Sequence, residues 1–262
     1  MSKLQGKTIV VTGVSSGIGS DTAKLLRQQG ARVIGLDRND PMLTLDGFVK
    51  ADLSEQSGVD AALTQLPAQV DGLANIAGVP GTASVDLVAR VNYLALRHLT
   101  LKLADRMPAG GSVVNVASIL GAEWPARLEV HKALAETSSF EAGLVWLARN
   151  PVPHATCYQY FKEALIVWTM AQSQKLFLAK GVRMNSVAPG PVFTPILGDF
   201  DLAFRLSADE ERLYGLHGYM FPSLRPVGEL LLLPQAATTE AAEHRWLGQL
   251  VSTVRYDASG RA

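Results

Sequence analysis

The stretch TIVVTGVSSGIGSDTAKLLRQQGARVIGLD, residues 8–37, decides the fold. TIVVTG (8–13) is a β-rich apolar run that ends on glycine, SDTAKLLRQQG (20–30) is amphipathic at helical spacing, and RVIGLD (32–37) is β-rich again. This is a β-α-β unit. The alternation runs on through GFVKADL, a short helix around 55–66, DGLANIAG (71–78), a helix around 84–106, GSVVNVAS (111–118), a helix over 158–179 and VRMNSVAPG (182–190). Strands alternating with helices predict an α/β protein, a doubly wound parallel sheet with helices on both faces.

A chain of 262 residues holds one sizeable core, and residues 1–262 read as a single domain of Rossmann type without repeat or linker. Twenty-four basic residues balance 24 acidic ones, so no broad charged surface points to nucleic acid or to an anionic membrane. A small-molecule partner is favoured. The single cysteine, Cys157, excludes an internal disulfide framework and fits a reducing compartment; it reads as a small buried residue rather than a reactive thiol. MSKLQGKTIVVTG has no signal-peptide layout, and no apolar run approaches the ~20 residues of a membrane span. A cytoplasmic protein is expected. His98, His131, His154, His217 and His244 are scattered without a metal-ligand spacing, so no metal is expected.

Between the first strand and helix lies TGVSSGIG, with glycines at 13, 17 and 19. Such a turn brings backbone close to a ligand, and the helix behind it aims free N–H groups and its positive dipole end at an anion. A dinucleotide pyrophosphate fits there, although the spacing is G-x-x-x-G-x-G and a purely structural turn is the alternative. Asp37 closes the second strand eighteen residues after Gly19, near the ~20 expected for the acid that binds a ribose hydroxyl. Its carboxylate would repel a 2′-phosphate, which favours NAD over NADP; the neighbouring Arg38 argues the other way. Asp37 as a simple turn-closing residue is the alternative.

In HATCYQYFKEAL (154–165), Tyr158 and Lys162 stand one helical turn apart on one face, whereas Tyr160 is turned away from both. Tyr158 and Lys162 can share a site, but such pairs also occur on ordinary helices.

With TGVSSGIG, NIAG (75–78), VN (91–92), VVNVASILG (113–121), YQYFK (158–162) and APGPVFT (188–194) in this order, the chain resembles the classical short-chain dehydrogenase/reductase family over roughly residues 6–197. The resemblance implies a catalytic set: Tyr158 as acid/base, Ser118 hydrogen-bonding the substrate oxygen, Lys162 positioning ribose and lowering the tyrosine pKa, and Asn92 in a proton relay. It implies cofactor contacts from Gly13, Ser15, Ser16, Gly17, Ile18 and Gly19, from Asp37, Asp52 and Leu53, from Asn75, Ala77 and Gly78, from Tyr158 and Lys162, and from Pro189, Gly190, Val192 and Thr194. A free tyrosine titrates near ~10, so a base at neutral pH needs an ammonium and a positive nicotinamide beside it. Each residue also has an ordinary reading: Ser118 as a cap on the end of its strand, Asn92 bonded to helix backbone, Asp52 as a loop aspartate, Thr194 as a helix N-cap.

Two departures stand out. Ser118 and Tyr158 are forty positions apart, far more than most of the family, so a helical insertion over about 120–157 precedes the catalytic tyrosine. A similar insertion marks the 3α-hydroxysteroid dehydrogenase/carbonyl reductases, and NIAGVPGTA, ILGAEWPARLEVHK and CYQYFKEALIVW resemble members acting on coniferyl-type alcohols. Trp124, Trp146 and Phe193 would line an apolar pocket or, alternatively, fill the insertion's own core. Over about 200–262 the tail is atypical: a helix over 236–250 is expected, no closing strand is evident, and a shifted reading frame in the last quarter of the gene would explain the change.

The resemblance therefore implies NAD-dependent oxidation of an aromatic allylic alcohol to the aldehyde, in a homo-oligomer, dimer or tetramer. The alternatives are a 3α-hydroxysteroid dehydrogenase/carbonyl reductase and a non-catalytic NAD-binding sensor. Only the sensor needs neither Ser118, Tyr158 nor Lys162.

Overall fold

The computed structural model describes residues 4–190. Val192, Phe193, Thr194 and the tail with its expected helix lie outside the described residues.

Strands β1 (Thr8–Thr12), β2 (Arg32–Asp37), β3 (Gly47–Lys50), β4 (Gly72–Asn75), β5 (Ser112–Val116) and β6 (Arg183–Val187) form one parallel sheet in the order β3-β2-β1-β4-β5-β6. Helices α1 (Gly17–Gln28), α2 (Gln56–Gln65), α3 (Val85–Ala89), α4 (Leu96–Ala104), α5 (Leu128–Ala135), α6 (Phe140–Arg149) and α7 (Cys157–Lys180) fill the connections. The alternation along β1 shows why both faces are covered. Ile9 and Val11 pack with Ala23 and Leu26 of α1, whereas Val10 points the other way into a core shared with Leu63 of α2, Leu103 of α4 and Trp168 of α7. Each such side chain contributes about 1.5–3 kcal/mol on burial. A strand buried on both sides has no polar face to show, hence its unbroken apolar run.

The helix expected around 84–106 forms in three pieces. Between α3 and α4, Arg90–Ala95 winds as a π-helical segment, although RVNYLA contains neither proline nor glycine to announce it. Such segments concentrate at functional sites, and Asn92 lies in this one.

The insertion expected at about 120–157 is helical. Single 3-10 turns at Ile119–Gly121 and Trp124–Arg127 lead into α5, then α6, then a 3-10 turn at His154–Thr156 that runs into α7. Ser139 caps α6 by accepting from the Ala142 N–H at 3.0 Å, which supports the helix start. Arg97 of α4 reaches across to the end of α5, donating to the carbonyls of Leu134 at 3.1 Å and Thr137 at 2.6 Å. A buried guanidinium thus takes up carbonyls that the helix end leaves without partners. Trp146, Leu144 and Leu147 pack against the main core rather than forming a separate core for the insertion, while Trp124 is half-buried.

Strand order reverses between β1 and β4. Beyond the carboxyl ends of those two strands lies the crevice where doubly wound sheets bind ligands.

Candidate active site

The glycine-rich turn follows β1 at that crevice. Gly13 has φ +70°, and a Cβ there would stand 2.8 Å from the Ala77 backbone; a Cβ on Gly19 would stand 1.9 Å from the Gly13 carbonyl oxygen. Only glycine lets β1, the turn and the segment after β4 come this close. Thr12 Oγ1 joins the two strand ends, accepting from the N–H groups of Ile76 at 2.9 Å and Ala77 at 3.0 Å. Ser16 begins α1 without a side-chain cap bond, so the opening turn of the helix, with Gly17, Ile18 and Gly19, offers backbone donors and a positive dipole end. These residues fit a pyrophosphate.

Asp37, at the end of β2, accepts from the Ser15 N–H at 3.0 Å and the Asn39 N–H at 2.9 Å. Its carboxylate therefore faces the glycine-rich turn, where the ribose-binding reading requires it. Asp52 is exposed and accepts from the Ser54 N–H at 2.8 Å, a loop-aspartate role, while Leu53 beside it is buried. Asn75 turns its side chain inward, donating to Thr100 Oγ1 at 2.8 Å and Asn115 Oδ1 at 2.9 Å. Its backbone, with Ala77 and Gly78, remains at the switch point. The Pro189 carbonyl accepts from the Ile119 N–H at 2.9 Å, which holds Pro189 and Gly190 beside the end of β5.

Tyr158 sits in the first turn of α7, half-buried, with its phenol hydrogen-bonded to Ser118. Ser118 Oγ also accepts from the Leu120 N–H at 3.2 Å, capping the 3-10 turn that follows β5. Lys162, one turn on, is buried, places its Nζ 5.5 Å from the centroid of the Tyr158 ring, and donates to the Val116 carbonyl at 2.7 Å. Asn92 is also buried and grips Val79 twice, accepting from its N–H at 2.8 Å and donating to its carbonyl at 2.9 Å. Its partner is thus the loop segment after β4 rather than helix backbone.

Burial pushes the Tyr158 phenol up to about 12, and the bond with Ser118 opposes it. Burial also pushes Lys162 down, to about 8.

The general model for "short chain dehydrogenase" matches residues 7–133. A coniferyl-alcohol dehydrogenase from Pseudomonas sp. (strain HR199 / DSM 7063) is 58% identical over 214 residues, covering 80% of this chain and 84% of that protein. The chain belongs to the short-chain dehydrogenase/reductase family. Among solved members, the 3-alpha-hydroxysteroid dehydrogenase from Pseudomonas sp. B-0831, complexed with NADH, is 30% identical with a TM-score of 0.67, over 88% of this chain and 91% of that one. A 3-ketoacyl-(acyl-carrier-protein) reductase from Brucella melitensis, also complexed with NADH, shares the fold at 23% identity and a TM-score of 0.61, over 90% of this chain and 94% of that one. As a short-chain dehydrogenase/reductase, the protein is an oxidoreductase acting on CH–OH groups.

This dehydrogenase carries a cluster that the motifs do not reveal. Glu163, next to Lys162, is fully buried, with Arg127 and His131 of the insertion on its two oxygens. The buried Nδ1 of His131 has no hydrogen-bond partner among the described residues. The signal lay in CYQYFKEALIVW, where a glutamate sits inside an apolar helix and asks for a buried cation. Other side chains keep their ordinary readings: Cys157 is buried and its thiol is pushed up by burial, His98 pairs with Asp60 at 2.6 Å, and His154 bonds the Ala83 carbonyl at 3.0 Å.

Proposed function

We propose that the protein oxidises an aromatic allylic alcohol of the coniferyl type to its aldehyde, using NAD. The observation that carries the substrate reading is the 58% identity to a coniferyl-alcohol dehydrogenase over 214 residues. NAD is supported by Asp37, whose carboxylate faces Ser15 of the glycine-rich turn and would repel a 2′-phosphate, and by the NADH-complexed relative of similar fold.

NAD, when bound, supplies the hydride acceptor. Ser118 orients the substrate oxygen, and Tyr158 as phenolate takes the alcohol proton while the carbinol carbon gives up its hydride; in reverse, the phenol returns that proton to the alkoxide. Since burial holds Tyr158 up at about 12, oxidation requires additional positive charge at the phenol, and Lys162 is the cation within reach once its ammonium swings from Val116. Tyr158 and Ser118 form the catalytic contact, Lys162 tunes it, and Asn92 holds the segment after β4 beside it. The single-domain reading, a cytoplasmic location and a homo-oligomer complete the proposal, supported by the continuous sheet, the lone buried cysteine and the family membership respectively.

A second reading, oxidation of a 3α-hydroxysteroid, is favoured by the 30% identity to such an enzyme over 91% of its chain. NADH formation at 340 nm, with coniferyl alcohol, a 3α-hydroxysteroid and a simple secondary alcohol each tested against NAD and NADP, separates the two. Coniferyl alcohol with NAD should give the highest kcat/KM. A faster steroid would install the second reading, and nucleotide binding without turnover of any alcohol would leave the non-catalytic sensor.

A further inference from the structure

The catalytic helix has a second face that meets the insertion. Tyr160 and Glu163, three residues apart, share it and are turned from Tyr158 and Lys162. Glu163 is fully buried, and its Oε2 accepts from Arg127 Nε at 2.7 Å and from His131 Nε2 at 2.8 Å, while Arg127 Nη2 binds Oε1. A carboxylate has no hydrogen to give, so His131 carries its proton on Nε2 and stands as a neutral donor. Burial pushes His131 below its usual value, which keeps it neutral. The edge of Tyr160 completes the contact, 4.7 Å from the His131 ring.

Both partners come from the insertion, and the acceptor comes from the second turn of α7. An apolar contact would hold two helices together at least as well as a buried ion pair, whose desolvation offsets its attraction. Fixed bond directions, by contrast, restrict rotation and sliding of the helix. Rotation matters here, because Tyr158 lies five residues before Glu163 on the same rigid element and must meet Ser118 on another.

We propose that Glu163 is a positioning residue: held by Arg127 and His131, it sets the rotation of the first two turns of α7 and with it the placement of the Tyr158 phenol against Ser118. The kinetic readout rests on the proposed alcohol oxidation; the positioning itself does not.

The test compares Glu163→Gln with Thr137→Ala. Gln keeps the shape but has one acceptor oxygen where Glu has two, so its NH2 must face an Arg127 or His131 donor. Thr137 accepts from Arg97 at 3.0 Å at the far end of α5, so its loss loosens the insertion without touching α7. Glu163→Gln should lower kcat roughly ten- to a hundredfold with KM for NAD changed less than about threefold. Arg127→Lys should keep more of kcat than Arg127→Leu, and these two carry the test if Glu163→Gln does not fold. Thr137→Ala should lower Tm without a comparable fall in kcat.

A Glu163→Gln enzyme within about twofold of wild-type kcat, or Thr137→Ala losing kcat in proportion to Tm just as Glu163→Gln does, overturns the proposal. If the wild type turns over no alcohol, that counts against the alcohol reading alone, and amide hydrogen exchange over residues 157–161 decides. Exchange accelerated in Glu163→Gln but not in Thr137→Ala supports positioning, and equal exchange refutes it.

Discussion

The Lys162 ammonium lies 5.5 Å from the centroid of the Tyr158 ring and is bonded to the Val116 carbonyl. The two groups share one helix face, with the phenol up at about 12 and the amine down at about 8.

That placement costs stability. The ordinary lysine value of 10.5 falls to about 8 in the folded protein, so between these limits the unfolded chain binds the proton more tightly. Stability then rises with pH from about 8 to 10.5, and the penalty is fully present below 8. At ~1.36 kcal/mol per pH unit it is on the order of 3 kcal/mol. Lys162→Met should stabilise the protein at pH 7 by about 2–3 kcal/mol in urea unfolding, flatten this slope and abolish turnover. An unchanged or lower midpoint would show that the Val116 bond compensates for burial.

Tyr158→Phe should cut kcat by roughly 10²–10⁴ with nucleotide binding retained. Tyr160→Phe keeps the ring against His131 and should stay within about threefold of wild type. Steady-state kinetics and nucleotide fluorescence titration read both, and equal losses would refute the assignment of Tyr158.

Asn92→Leu should destabilise the protein by about 2–3 kcal/mol, since it leaves the Val79 N–H and carbonyl buried without their partners. Denaturant unfolding measures it. A loss below about 0.5 kcal/mol would mean that the segment after β4 finds other bonds.

Gly13→Ala forces φ +70° on a residue with a Cβ and drives that atom to 2.8 Å from Ala77. It should cost more than about 1 kcal/mol and weaken nucleotide binding. Asp37→Ser should move the ratio of kcat/KM values toward NADP by roughly tenfold or more. An unmoved ratio would place nucleotide choice elsewhere.

The strands and helices were legible because each apolar run has the period or the length of its element: TIVVT is buried on both sides, and the 158–179 helix forms as Cys157–Lys180. That Tyr158 and Lys162 share one helix face was legible from their spacing, and motif order pointed to Ser118, which the structure brings to the Tyr158 phenol. The π segment at Arg90–Ala95 was not, since RVNYLA carries no proline or glycine to announce it; its Asn92 reaches across to Val79, thirteen residues away in sequence. Glu163 was overlooked because its partners lie 32 and 36 positions upstream.

The insertion leaves the sheet at Ser118 and returns at Tyr158, two residues in hydrogen-bond contact. Its ends nearly coincide, as in a cassette, so exchanging it for another of different length costs little loop-closure entropy. Glu163 lies just past the downstream boundary and stays behind in any such exchange. A donor cassette must therefore bring an arginine and a histidine in register, or Glu163 must be replaced with it, because a stranded buried carboxylate costs about 3–5 kcal/mol. The insertion and α7 are thus inherited as one block.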